Sequence, residues 1–316
     1  MDINILLALQ DFRNGAGAFL ADFLSKMTFL GELNTAIVVM AIIYWGISKD
    51  FGAYLLMGWS GNRLVNGVLK VTACAYRPWI RDARIVPYGN SMTTATGYSF
   101  PSGHTMNAAT LFGGGAVRKD LPRMLRVALG ILVVLVAFSR NYLGVHTPQD
   151  VAVAMLVSAL CLIFTTKLFK YLDAHPEKED WLLLGGFLFC WAAIAYITLK
   201  PYPMDMSAEG KLIVDPQKMM NDGYGDLGKM MGFIIARYIE KKWVRFQPMK
   251  RDWVSAVICL VGLAPMVLLK KFVSPMIVQW LGSHWGKLCF SILYACYYIT
   301  LFPLILKLVG GKQHKR

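Results

Sequence analysis

Apolar residues run through this chain in blocks about as long as a bilayer is thick, and charged residues collect in the short connections between them. A helix needs about 20 mostly apolar residues to cross the hydrocarbon core. Blocks of that order lie at 33–48, 51–73, 102–118, 122–143, 148–171, 181–199, 226–242, 253–270 and 286–310. The pattern predicts an all-α, polytopic membrane bundle of about nine transmembrane helices. Residues 1–32 read differently. Leu6, Leu7, Phe12, Phe19, Leu20, Phe23 and Leu24 form an apolar face interrupted by Asp11, Arg13, Asp22 and Lys26. That is the pattern of an amphipathic helix lying in the interface, with a tenth span as the alternative.

Composition agrees with a membrane protein: 56% of residues are hydrophobic and the mean hydropathy is +0.47. The net charge of +14 does not mark a nucleic-acid partner, because the basic residues flank apolar blocks instead of forming a solvated face. Taken alternately, the connections differ in charge. One set carries Lys49, then Arg118, Lys119, Arg123 and Arg126, then Lys167, Lys170 and Lys178, then Lys241, Lys242, Arg245, Lys250 and Arg251, and last Lys315 and Arg316. The positive-inside rule makes this set cytoplasmic. The other set, 74–101, 144–147, 200–225 and 271–285, then faces outward, with the amino terminus outside and the carboxyl terminus inside. Met1-Asp2-Ile3-Asn4 does not open a basic region followed by a small-residue cleavage site, so no removable signal peptide is expected. The six cysteines show no paired spacing and lie mostly in apolar blocks, where Cys behaves as a small hydrophobe.

Three short polar segments sit at the outer edges of these blocks. They are Lys70 to Arg77-Pro78, Pro101-Ser102-Gly103-His104, and Ser139-Arg140 to His146 to Asp150. In order and internal spacing they read Lys-x6-Arg-Pro, Pro-Ser-Gly-His and Ser-Arg-x5-His-x3-Asp. Together they resemble, without substitution, the three-part signature of the type 2 phosphatidic acid phosphatases, the superfamily that also holds glucose-6-phosphatase and the vanadium haloperoxidases. The resemblance covers roughly residues 50–172. It implies a single membrane phosphatase domain over 1–316, with an interfacial helix at 1–32, a catalytic core at 50–172 and additional spans at 173–316.

The residues themselves carry matching chemistry. Thr147 reads as a helix N-cap, Pro148 as the first helical residue and Asp150 as a capping-box acid. Asp150 either only caps that helix or also holds one imidazole nitrogen of His146, leaving the other as a nucleophile. The resemblance implies the second: His146 attacks phosphorus and forms a phosphohistidine. Lys70, Arg77 and Arg140 are cations able to converge on one phosphate, the guanidinium groups holding two oxygens at once. Taken singly, Lys70 or Arg77 also reads as a snorkelling anchor. Ser102 and Gly103 open a helix whose unpaired N–H groups suit an anion, though Ser102 also suits a plain N-cap. The resemblance implies that both contact phosphate while His104 protonates the leaving oxygen. Arg63, Asn66 and Lys70 share one helix face, which reads either as a polar wall beneath the phosphate or as a structural ion pair of Arg63 with a carboxylate such as Asp22 or Glu32. His175, His284 and His314 read as solvated.

The chain is thus read as a metal-independent membrane phosphatase without a cofactor, acting on lipid phosphate monoesters or pyrophosphates at the extracytoplasmic face. No carboxylate cluster for magnesium stands in the sequence, and Asp150 is already assigned. The alternatives are a phosphatase of a soluble sugar phosphate, with Lys211, Asp215, Lys218 and Asp222 of the 200–225 loop over the site, and a non-catalytic lipid-binding protein or transporter. Its expected partners are a phosphorylated lipid and the bilayer, with no nucleic acid and the oligomeric state open.

Overall fold

The computed structural model describes residues 2–249 and 252–310. Met1, Lys250, Arg251, His314, Lys315 and Arg316 lie outside the described residues, so the parts of the charge pattern that fall on them have no structural counterpart. The described chain is all helical. In order come α1 (Asp2–Gly15), α2 (Ala18–Met27), α3 (Leu33–Ile42), α4 (Lys49–Ala73), the single turns α5 (Pro78–Arg81) and α6 (Ser91–Thr94), α7 (Gly103–Ala116), α8 (Arg123–Tyr142), α9 (Pro148–Ala174), α10 (Glu179–Leu199), α11 (Pro216–Ile239), α12 (Trp253–Leu268), α13 (Ser274–Cys296) and α14 (Phe302–Gly310). The only extended pairing among the described residues is an isolated bridge between Met206 and Leu212.

By length and composition, four stretches suffice to cross a membrane: Arg123–Tyr142, Pro148–Ala174, Pro176–Leu199 and Trp253–Leu308. A bent pair, Ala18–Gly31 with Leu33–Ile47, makes a fifth if it counts as one span. These support a membrane helical protein without establishing nine spans. The segment expected at 102–118 forms a helix of 14 residues, about 21 Å long at 1.5 Å per residue and short of a full crossing. The connection expected at 271–285 is helical instead, joined to α12 through a π-turn at Leu269–Val273 and broken only at Gly282, which takes φ 75°. The single helix expected over 1–32 is two helices, parted at Gly17 with φ 78°. Glycine has no Cβ to oppose that left-handed value.

The chain divides into two compact units. One comprises Met1–Ala36, Val65–Ile163 and Pro201–Met219; the other comprises Ile37–Leu64, Phe164–Lys200 and Met220–Arg316. In the first, α7 packs along α8, and α1, α2 and the turn at Thr28–Gly31 cover them. Ala21 and Leu24 of α2 meet Tyr142 at the end of α8, and Ala95, Leu143 and Val145 form a second small core beneath Trp79 and Tyr88. Arg13, expected on the polar face of an interfacial helix, is buried. Its Nη1 donates to the Tyr142 carbonyl at 2.9 Å and its Nη2 to the Val86 carbonyl at 2.7 Å. In the second unit, α11 and α13 approach closely at glycines. A Cβ on Gly228 would stand 2.6 Å from the Leu288 carbonyl oxygen, and one on Gly232 would stand 2.9 Å from Ile292 Cα.

Candidate active site

All three motif segments lie in the first unit. Lys70 sits in the last turn of α4, and its Nζ donates to the carbonyls of Tyr98 at 3.0 Å and Pro101 at 3.3 Å. Asn66, one turn earlier, reaches the same Pro101 carbonyl at 3.3 Å and Met106 Sδ at 3.0 Å. The face shared by these two residues therefore grips the segment that leads into α7. Ser102 is the N-cap of α7: its Oγ accepts from the Thr105 N–H at 3.4 Å and from Thr105 Oγ1 at 2.9 Å. Gly103 and His104 are the first two helical residues, and the backbone of His104 lies directly against Gly31.

The turn between α8 and α9 is built by local bonds. Gly144, at φ 74°, reverses the chain. The N–H groups of Val145 and His146 return to the Arg140 carbonyl at 3.1 and 3.3 Å, and Asn141 Nδ2 donates to the His146 carbonyl at 2.9 Å. Asp150 and Thr147 cap α9 reciprocally: Asp150 Oδ2 accepts the Thr147 N–H at 2.8 Å, and Thr147 Oγ1 accepts the Asp150 N–H at 3.3 Å. The same Oδ2 is 3.3 Å from His146 Nδ1, so the capping and histidine-holding readings of Asp150 coexist in one carboxylate. The Asp150 carbonyl in turn accepts the Ser102 N–H at 3.1 Å, tying the second motif to the third.

Arg77 is fully engaged. Its Nε donates to the Gly97 carbonyl at 3.1 Å, its Nη2 to the Thr96 carbonyl at 3.2 Å, and its Nη1 to the Val145 carbonyl and to His146 Nε2, both at 2.9 Å. A guanidinium has no acceptor, so Nε2 must offer its lone pair. The ring proton therefore resides on Nδ1, facing Asp150. Burial lowers the Arg77 guanidinium to about 10, with the Asp150 charge opposing, and it stays cationic at neutral pH. Burial first, and then the Arg77 charge, push the His146 imidazole well below its ordinary range, against the pull of Asp150; the Arg140 charge adds to the depression.

Arg140 stands apart. It is 0% exposed, and Nε, Nη1 and Nη2 all lack a hydrogen-bond partner among the described residues. A buried charge without hydrogen-bond partners costs several kcal/mol, yet here an entire guanidinium is held that way beside the histidine turn, with the Glu32 charge acting on it only through space.

Arg63 belongs to the second unit. Asp226 of α11 takes it in a fork, at 3.0 Å to Nε and 2.5 Å to Nη2, and Lys229 joins the same carboxylate at 2.8 Å. Neither Asp22 nor Glu32 is its partner: the pairing comes from a residue 163 positions away, which helix periodicity has no means of revealing. Asp22 accepts from the Tyr88 hydroxyl instead. His284 and His175, read as solvated, have partners too: His284 bonds Asn221, and His175 stacks on Tyr171.

Some residues around the site escaped the sequence reading. Ser99 places its hydroxyl 2.5 Å from Asp150 Oδ2; the signal was a lone hydroxyl between Tyr98 and Phe100, three residues ahead of the capping Ser102. Thr96 and Gly97 act through carbonyls, and Asn107 Nδ2 donates to the Gly31 carbonyl at 2.9 Å. Tyr76, next to Arg77, donates its hydroxyl to Asp205 at 2.5 Å, which fastens the 200–215 loop to the same unit.

Comparison with known proteins reaches the same stretch. The PAP2 superfamily model matches residues 51–174, which contain all three motifs. Phosphatidylglycerophosphatase B of Bacillus subtilis (strain 168) is 33% identical over 145 residues, covering 42% of this chain and 67% of that protein. The chain belongs to the PAP2 superfamily. A second PAP2-like relative, the probable sphingosine-1-phosphate phosphatase of Dictyostelium discoideum, is 24% identical over 208 residues, and the match spans 63% of this chain and half of that protein's length. Among solved structures, the crystal structure of Aquifex aeolicus LpxE matches with a TM-score of 0.44 at 23% identity, covering 51% of this chain and 94% of that one. Both curated relatives are named as phosphatases, and likeness to them marks this chain as a phosphoric monoester hydrolase. Arg13, Gly31 and Asp205 lie outside the PAP2-matched residues.

Proposed function

We propose that this chain is a metal-independent phosphatase of lipid phosphate monoesters or pyrophosphates, working at the extracytoplasmic face through a phosphohistidine on His146. The observation that carries the reading is Arg140, a wholly buried guanidinium with no hydrogen-bond partner among the described residues, on the helix end that builds the His146 turn. A tetrahedral phosphate oxygen pair satisfies such a fork. The reading draws further support from the relatives, whose names specify lipid phosphates.

In this mechanism the Nε2 lone pair of His146 attacks phosphorus, the N–P bond forms, and the P–O bond to the leaving group breaks with its electron pair going to oxygen. His104 supplies the proton to that oxygen, and water then hydrolyses the phosphohistidine. Lys70, Arg77 and Arg140 balance the charge on the equatorial oxygens, the stabilisation phosphoryl transfer chiefly needs. The Gly103 backbone N–H at the α7 terminus adds to it, the Ser102 N–H being held by the Asp150 carbonyl. Arg77, which rests on the Nε2 lone pair, shifts its Nη1 to the incoming phosphate.

The test is release of phosphate by detergent-purified protein. Excess EDTA leaves turnover intact, and His146→Ala abolishes it on lipid phosphate and on p-nitrophenyl phosphate alike. The pH profile follows from the neutral imidazole being the nucleophile. Because its pKa is depressed, the active form persists below pH 6.5 and is lost only as pH falls through the lowered value. Strict magnesium dependence, or an active His146→Ala, overturns the reading.

A further inference from the structure

The Ser99 hydroxyl stands between the two groups on which this mechanism depends most. Ser99 is 1% exposed, and its N–H is held by the Ala75 carbonyl at 2.7 Å, so its position is fixed from both sides. Its Oγ is 2.5 Å from Asp150 Oδ2 and 3.4 Å from His146 Nδ1. A carboxylate offers only lone pairs, so the serine O–H donates to Oδ2. The lone pairs left on Oγ face the imidazole. Since the Arg77 donor fixes the ring proton on Nδ1, that N–H forks between Oγ at 3.4 Å and Oδ2 at 3.3 Å.

We propose that Ser99 is a positioning residue for the histidine nucleophile: its hydroxyl fixes the Asp150 carboxylate and, through it, the orientation of the His146 ring. The inference rests on the phosphohistidine reading above. Without the serine bond, Oδ2 keeps the Thr147 N–H and the imidazole N–H that it has to orient, and the carboxylate gains freedom to rotate about its last torsion. The ring then loses its preferred aim at phosphorus. No proton changes hands at Ser99. As the Nε2–P bond forms, the ring becomes cationic with its hydrogen still on Nδ1, and the two oxygens accept that hydrogen throughout.

Single-turnover and steady-state kinetics on p-nitrophenyl phosphate test this with Ser99→Ala, Ser99→Thr, Asp150→Ala, His146→Ala and the Ser99→Ala/Asp150→Ala double variant. Ser99→Ala lowers kcat about 10- to 100-fold with KM nearly unchanged, the size of losing one hydrogen bond to a charged group. Ser99→Thr, which keeps the hydroxyl, restores most of the rate. The double variant is no slower than Asp150→Ala alone, because Ser99 acts only through that carboxylate. Full activity of Ser99→Ala, a loss confined to KM, or a loss that multiplies onto Asp150→Ala overturns the proposal. Should Ser99→Ala fail to purify folded, Ser99→Cys, similar in size with a weak donor, takes its place under the same criteria. His146→Ala separates the two levels: if it remains active the phosphohistidine reading fails, and if it is dead while Ser99→Ala is fully active only the Ser99 inference fails.

Discussion

Arg140 and Arg77 carry the same charge and hold opposite positions. Arg77 is pinned by three carbonyls and an imidazole, so its loss costs local structure as well as charge. Arg140 has no such partners among the described residues, so its burial is a standing cost to the fold. Replacing it with an apolar side chain of similar length removes that cost. Arg140→Met therefore unfolds at a temperature no lower than the parent, with a gain of about 1–4 kcal/mol where packing allows. Its phosphatase turnover falls on the order of 10²–10³-fold. Thermal unfolding in detergent beside phosphate release reads both quantities. A large loss of stability would mean that Arg140 has a protein partner, and the anion-site reading would go with it.

At the scale of elements, the amino-terminal segment is part of the catalytic unit although it lies outside the family-matched stretch. Arg13 of α1 donates to the last turn of α8 through the Tyr142 carbonyl, where carbonyls lack helical partners and a cation is favoured. Each hydrogen bond from such a charged group contributes about 1.5–3 kcal/mol. Gly31 meets α7 more directly. A Cβ there would lie 2.8 Å from the His104 carbonyl oxygen and 2.8 Å from Val136 Cγ1, and backbone cannot swing aside as a flexible side chain does. Gly31→Ala must therefore displace the start of α7, and a shift of that kind at His104, the proposed proton donor, costs up to about 10²-fold in rate. The control is Gly15→Ala, where a Cβ meets nothing within 4 Å and activity stays at the parent level. Equal rates for both variants would show that the α7 terminus does not depend on the amino-terminal segment.

For the whole molecule, orientation is the property that decides which pool of substrate the site can reach. The motif segments and the basic connections fall on opposite ends of α8: Arg123 and Arg126 at its start, Arg140 at its end. The orientation proposed from the charge bias has the start in the cytoplasm. Single cysteines at Asn90 and Asp120 in a Cys-depleted background then differ in labelling by an impermeant thiol reagent in intact cells, Asn90 reacting and Asp120 protected. The reverse pattern would place the site on the cytoplasmic side and remove the extracytoplasmic lipid pool from consideration.

The sequence by itself determined the class of structure and the family. Apolar blocks of bilayer length leave a backbone no option but helices, and the three motifs mark the residues of the candidate site because their spacing is local: a capping box, a helix terminus, a turn between two helices. Where the reading went astray, the deciding contact was distant. Arg63 found Asp226 across 163 positions. Arg13 turned inward because carbonyls at Tyr142 and Val86 were brought to it. The connection expected at 271–285 is helical, because a helical backbone bonds its own N–H and C=O groups where a loop would leave them unpaired. Only the tertiary structure could show that Arg77 settles the His146 tautomer, that Arg140 has no hydrogen-bond partner among the described residues, and that Ser99 meets Asp150. Each depends on which groups remain unsatisfied after packing, a quantity that residue order does not contain.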